Sequence, residues 1–157
     1  MKYLPLLILI TFLLVGCSLK DYKHTSSKII IIKSPQIKFS DLGFIRHSDD
    51  AIEVELFVAG KVVEQISINH LICVSDGCMS KSGFNKEYLN KAYPGDILQN
   101  IFLGKAIYDA QNKIETDDGF EQIIKNKDVH ITYRVNSEEI YFKDTKNKII
   151  FKIKDTK

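Results

Sequence analysis

The sequence predicts an α+β fold: a mainly antiparallel β-sheet with two or three short helices inserted after its N-terminal half. Three observations carry this. Residues 51–58 and 129–135 alternate apolar and polar side chains with period two, which is the pattern of strands with one dry and one wet face. Residues 84–103 instead place apolar side chains at helical spacing. The stretch after residue 129 returns to alternation, so strands precede and follow the helices and the class is a layered one.

Taken in order, residues 28–33 (KIIIIK) form a β-branched run, and residues 36–40 alternate Ile37 and Phe39 against polar neighbours, with Pro35 marking a break or an edge. Residues 43–47 lead through the Ser48, Asp49, Asp50 turn cluster into residues 51–58, where Ile52, Val54, Leu56 and Val58 share one face and Glu53 and Glu55 the other. A turn at Ala59, Gly60 and Lys61 joins this strand to residues 62–74 as a hairpin. A short helix is predicted over residues 84–93, with Ser82 as its cap and Pro94 as its stop. A second covers residues 95–103, carries Ile97, Leu98, Ile101 and Phe102 on one side, and ends at Gly104. A third, weaker helical stretch is placed at residues 120–125, after the Asp117, Asp118, Gly119 turn. Strands at 129–135, 139–143 and 148–154 complete the domain, the last two joined by a turn at 144–147.

The N-terminus is not part of this domain. Lys2 is followed by thirteen residues, 3–15, that are apolar apart from Thr11 and Tyr3. Such a core is short of the roughly 20 residues that cross a bilayer and has the length of a signal-peptide core. The quartet Leu14, Val15, Gly16, Cys17 resembles the lipobox of bacterial lipoproteins. The resemblance implies cleavage before Cys17, acylation of Cys17 and anchoring by two or three acyl chains, enough for stable attachment where one is not. It also implies an address in the cell envelope, with the outer membrane favoured over the inner because Ser18, not Asp, follows the cysteine. The expected organisation is therefore a signal peptide over 1–16, lipidated Cys17 and a flexible tether over 17–27 reaching about 17 Å, and a single α+β domain over 28–157. The tract from Phe39 to Leu56 and the final IYFKDTKNKIIFKIK also resemble small envelope lipoproteins, a likeness that brings no activity or site residues with it.

Chemistry-bearing residues are few. Cys73 and Cys78 flank an Asp-Gly turn in LICVSDGCMS. In an oxidising compartment they are expected to form a disulfide, which for so small a loop adds about 2 kcal/mol and pins a turn. Their spacing is not that of a thioredoxin-type redox pair, and no further Cys or His stands at the spacing of a zinc site. His24, His47, His70 and His130 are scattered singly; His70 and Cys73 would point to opposite faces of a strand and so not form a catalytic pair. The acids Asp109, Glu115, Asp117, Asp118 and Glu121 miss the calcium-loop pattern, since its glycine position is Ile114. They read as a solvated turn and a helix N-terminus. Ser82 and Lys86 miss the serine-lysine spacing by one residue. No catalytic residue, metal set or cofactor is assigned.

With 22 Lys plus Arg against 20 Asp plus Glu, the formal charge of +2 argues against nucleic acid as a partner. The C-terminal lysines around Ile149, Ile150, Phe151 and Ile153 are read as protection of an exposed edge strand against aggregation, with contact to anionic headgroups or an acidic partner as the functional alternative. The expected function is a non-enzymatic interaction or structural module, held to the membrane through its lipid and contacting an envelope protein. The alternative is binding of a small ligand or lipid in a groove between the helices and the sheet, lined by Tyr88, Ile97 and Phe102.

Overall fold

The computed structural model describes residues 22–156. The expected signal peptide, Cys17 and residues 18–21 of the expected tether lie outside the described residues.

Eleven strands form one antiparallel sheet in the order β6-β5-β4-β3-β2-β1-β11-β10-β9-β8-β7. In chain order they are β1 (His24–Lys33), β2 (Lys38–His47), β3 (Ile52–Val58), β4 (Lys61–Ile68), β5 (Leu71–Val74) and β6 (Gly77–Ser80), then β7 (Lys113–Thr116), β8 (Gly119–Lys125), β9 (His130–Val135), β10 (Glu139–Asp144) and β11 (Ile149–Asp155). Between the two meanders lie α1 (Lys81–Tyr88), α2 (Ile97–Leu103) and a 3-10 turn at Tyr108–Ala110. The described residues are thus predominantly β, with two α-helices.

The topology dictates where the core sits. The chain leaves the sheet at one edge, β6, and re-enters at the other, β7, so residues 81–112 must cross a sheet face. Phe84, Ile97, Ile101 and Ile107 from this crossing are fully buried against Ile30, Ile32, Val54, Ile72, Tyr133 and Phe142 of the strands. Burying a side chain of this size contributes about 1.5–3 kcal/mol. Edge-to-face aromatic contacts tie the layers together, Tyr93 with Phe142 at 5.9 Å and Phe102 with Phe151 at 6.2 Å, and Phe142 continues within the sheet to Tyr133 at 6.2 Å.

Several local expectations are met. Val129, Ile131 and Tyr133 face inward on and beside β9 while His130 and Arg134 are exposed. The β3–β4 hairpin turns at Ala59 and Gly60, both at positive φ, and Gly104 ends α2 at φ +62.

Others are corrected. Residues 120–125 are not a helix but strand β8: Phe120, Gln122 and Ile124 are buried while Glu121, Ile123 and Lys125 are exposed, which is period two. The polar Gln122 hides that period in the sequence. It is fully buried because its amide donates to the carbonyls of Ile107 and Gln111 and accepts from the Ile107 N–H, at 2.8–2.9 Å. The acids before it therefore lie on a hairpin, not at a helix start. Helix α1 is capped by Ser80, whose Oγ accepts from Gly83 N at 3.0 Å, not by Ser82. It stops at Tyr88, well before Pro94, because Asn85 and Asn90 spend their amides on the turns that follow, Asn85 Nδ2 donating to Pro94 O and Asn90 Oδ1 accepting from Ala92 N.

Residues 62–74 break at Asn69, whose Oδ1 accepts from Leu71 N at 2.8 Å, into β4 and β5. Val58 is 47% exposed, because it lies on the projecting hairpin tip and not over the core. Residues 24–27, assigned to the tether, are the first part of β1 and pair with residues 44–47. Most consequentially, β11 is not an edge strand: it is paired on both sides, with β1 and with β10.

Candidate functional site

The end of α2 creates the one cleft between helix and sheet that stands out among the described residues. The Gly104 and Lys105 N–H groups close the helix onto Ile101 O and Asn100 O at 3.2 and 2.9 Å. Tyr133 Oη then fastens the exit by donating to Lys105 O at 3.0 Å. The chain turns away there, and the ends of β1 and β2 beyond it stay uncovered. The resulting cleft encloses about 490 Å³ between Gln99, Phe102, Leu103 and Lys105 on the helix side and His24, Ser26, Lys28, Ile45, His47, Ile140 and Ile153 on the sheet side.

Ile45, Phe102 and Ile153 underlie it but are almost fully buried, and its rim sets the basic groups of His24, His47, Lys28 and Lys105 beside the carboxylate of Asp49. His24 and His47 are directly opposite in the β1–β2 pairing and stack with ring centroids 4.7 Å apart. Lys28 is ion-paired with Asp155, and Lys23 with Asp49. Burial, then the charges of His24 and Lys105, holds the His47 imidazole below its ordinary value, against a weaker pull from Asp49. Such a rim offers a neutral imidazole and ammonium groups to an acidic group, and the floor offers contact to an apolar tail.

The histidine arrangement has a consequence for stability. Because the folded state binds the His47 proton more weakly than the unfolded chain, stability rises with pH through this range and is lost as pH falls from about 6.5 through the folded value. The thermal midpoint is expected to be lower at pH 5 than at pH 7.5, and His47→Gln to flatten that slope. An unchanged slope in the variant refutes the assignment. Carboxylates held low, such as Asp144 and Glu139, are a separate acid limb that sets in only near their unfolded values of 3.8 and 4.5.

Of the residues expected to line a groove, only Phe102 reaches this cleft. Ile97 is fully buried in the core, and Tyr88 stacks on Phe84 at 4.7 Å and donates to Asp76 at 3.3 Å. The space between α1 and the sheet is filled, which corrects the expected position of the groove. Cys73 and Cys78 are directly opposite in the β5–β6 pairing and form the expected disulfide, with Cα atoms 3.9 Å apart. His70 lies on the β4–β5 turn, His130 at the start of β9 and Asp118 on the β7–β8 turn, so the fold does not bring them together. Among the described residues no group of three or more His, Cys, Asp or Glu is placed to hold a metal ion.

The His24–His47 pair escaped the sequence reading because His24 was assigned to the tether. The available signal was arithmetic: a hairpin centred on Pro35 and Gln36 sets Lys33 opposite Lys38 and, nine residues further out on each side, His24 opposite His47. Comparison with known proteins returns no match from any family model, any curated protein or any solved structure.

Proposed function

We propose that the chain is a lipid-anchored lipoprotein of the bacterial envelope, held through acylated Cys17, whose folded domain is a non-enzymatic interaction module for another envelope component. The observation that carries this reading is the Leu14, Val15, Gly16, Cys17 quartet behind a thirteen-residue apolar core. The Cys73–Cys78 disulfide supports it, because such bonds persist in exported proteins and are rare in a reducing cytoplasm. Ser18 favours the outer membrane. Metabolic labelling with palmitate tests the anchor: the wild type is expected to carry label in the membrane fraction, and Cys17→Ala to carry none. Label retained by that variant overturns the reading.

The α2 cleft favours a second reading, capture of a small amphiphilic acid by the same anchored protein. Lys28, His24 and Lys105 would receive the acid of such a ligand and the edges of Ile45, Ile153 and Phe102 its tail, with Asp49 the carboxylate in the same lining. Native mass spectrometry of the purified protein is expected to show a bound small molecule that organic extraction removes. A single mass equal to that of the processed, acylated chain excludes this reading.

A further inference from the structure

The net charge of +2 conceals a concentration of lysines at one end of the strands. The β1–β2, β8–β9 and β10–β11 turns lie at one end of the sheet, because Lys33 pairs with both Lys38 and Ile150, and Asp144 pairs with both Ile131 and Ile149. On and beside these turns Lys33, Lys38, Lys125, Lys127, Lys146 and Lys148 are all exposed. Among the described residues none of the six is ion-paired to a carboxylate, and the nearest acid by sequence in those turns is Asp128. The opposite end, where β1 begins, is mixed: exposed Asp49, Asp50, Asp117, Asp118, Glu138 and Asp155 stand there with exposed Lys23, Lys105 and Lys154.

Two features show that the lysines are not ordinary solvation or edge protection. Lys33 and Lys38 face each other directly across the β1–β2 pair, a like-charge juxtaposition that costs stability. The strand that follows Lys148, β11, is central and needs no edge protection. Between Lys33, Lys38 and Lys148 opens a hollow of about 760 Å³ against Pro35 and Phe39, with no carboxylate in its lining. At the same end the β3–β4 hairpin tip leaves Val58, Val62 and Val63 exposed at 47, 51 and 52%.

We propose that this pole is a peripheral docking surface for an anionic lipid bilayer. The two halves of the observation select that partner: the lysines call for a dense array of anions, and the three valines call for an apolar phase just beneath it. An anionic polymer would satisfy the first and leave the second in water. The ten-residue β1 separates the pole from its own N-terminal end by about 34 Å. Where the proposed anchor at Cys17 holds, the end where β1 begins lies toward the acyl chains and the basic pole points to a second lipid surface. That orientation rests on the anchor reading; the docking surface does not.

The test uses residues 18–157, which carry every described element and neither signal peptide nor acyl chain, in co-sedimentation with vesicles. Vesicles of equal parts phosphatidylcholine and phosphatidylglycerol are expected to bind the protein at low ionic strength, and added salt to release it. Each lysine near such a surface contributes roughly a fivefold factor. The triple variant Lys33→Gln, Lys38→Gln, Lys148→Gln is therefore expected to bind on the order of a hundredfold more weakly while its melting midpoint is kept or raised, since the Lys33–Lys38 repulsion is relieved. The pair Val62→Ser, Val63→Ser is expected to weaken vesicle binding while leaving any retention on polyglucuronate unchanged. Four results overturn the proposal: no binding to the anionic vesicles, equal binding to pure phosphatidylcholine, undiminished binding by the triple variant, or binding to polyglucuronate without binding to vesicles. The palmitate experiment on Cys17 is independent, so failure of the anchor and failure of the pole are told apart.

Discussion

Asp144→Ala is expected to destabilise the domain by about 3–5 kcal/mol, because it removes a fully buried acceptor that gathers five donors, most of them part-buried. The carboxylate closes β10 and organises the turn to β11. Its Oδ1 accepts from the backbone N–H groups of His130, Lys146 and Asn147 at 3.0–3.2 Å. Its Oδ2 accepts from Tyr93 Oη at 2.8 Å and Asn147 Nδ2 at 2.6 Å. Burial pushes the Asp144 carboxyl upward, yet the bonds from Asn147, the His130 N–H and Tyr93 together hold it below its ordinary value. The group is therefore ionised in the folded state at neutral pH. Its contribution is present above the unfolded value of 3.8 and is lost as pH falls through the folded one.

A milder companion isolates one bond. Tyr93→Phe removes a single donor and leaves Asp144 four others, so its cost is expected to be about 1 kcal/mol. Urea denaturation of the two variants measures both. A cost below about 1 kcal/mol for Asp144→Ala would show that the turn amides find solvent in its place.

Gly119→Ala is the second large effect, expected at about 3 kcal/mol or more. A Cβ on Gly119 would stand 1.9 Å from Val135 O, 2.8 Å from Val135 C and 2.9 Å from Asn136 Cα. All three obstacles are backbone, so no rotamer change relieves them. The start of β8 would have to lift from β9, giving up the Phe120–Val135 pairing and loosening the β7–β8 hairpin beyond it. Gly60→Ala provides the contrast. Gly60 sits at φ +78 with open space around it, so only the conformational cost of about 1–2 kcal/mol applies. Thermal melts should rank the two variants in that order, and hydrogen exchange should show the loss for Gly119→Ala concentrated in β8 and β9. Equal effects at both sites would mean that β8 accommodates the methyl group by a shift the backbone spacing does not suggest.

These cases show why parts of the fold were readable and parts were not. The alternation of residues 52–56 and 131–133 announces strands because successive side chains point to opposite faces whatever the neighbours are. Gln122 breaks the same rule in β8, since the partners that make its burial tolerable, Ile107 and Gln111, come from a different segment. Ser80 outcompeted Ser82 as a cap through geometry that a list of capping residues does not contain. For the candidate site, Phe102 could be named in advance, whereas the histidines opposite it depended on the register of a hairpin that Pro35 disguised as a break.

The sequence by itself determined most of the strand-forming segments, though not β7, β8 or the start of β1, and with them the stop of α2 at Gly104, the pairing of Cys73 with Cys78 and the lipobox-like quartet before Ser18. Each of these is a matter of near neighbours: side-chain alternation, a left-handed cap, a short loop, a contiguous motif. Only the tertiary structure decided that the last strand closes against the first, that residues 24–27 belong to the sheet and that six lysines gather at one pole. Those outcomes follow from long-range strand pairing, in which hydrogen bonds and apolar burial between residues more than a hundred positions apart choose the strand order. Lysines far apart along the chain are thereby brought to one end of the folded domain.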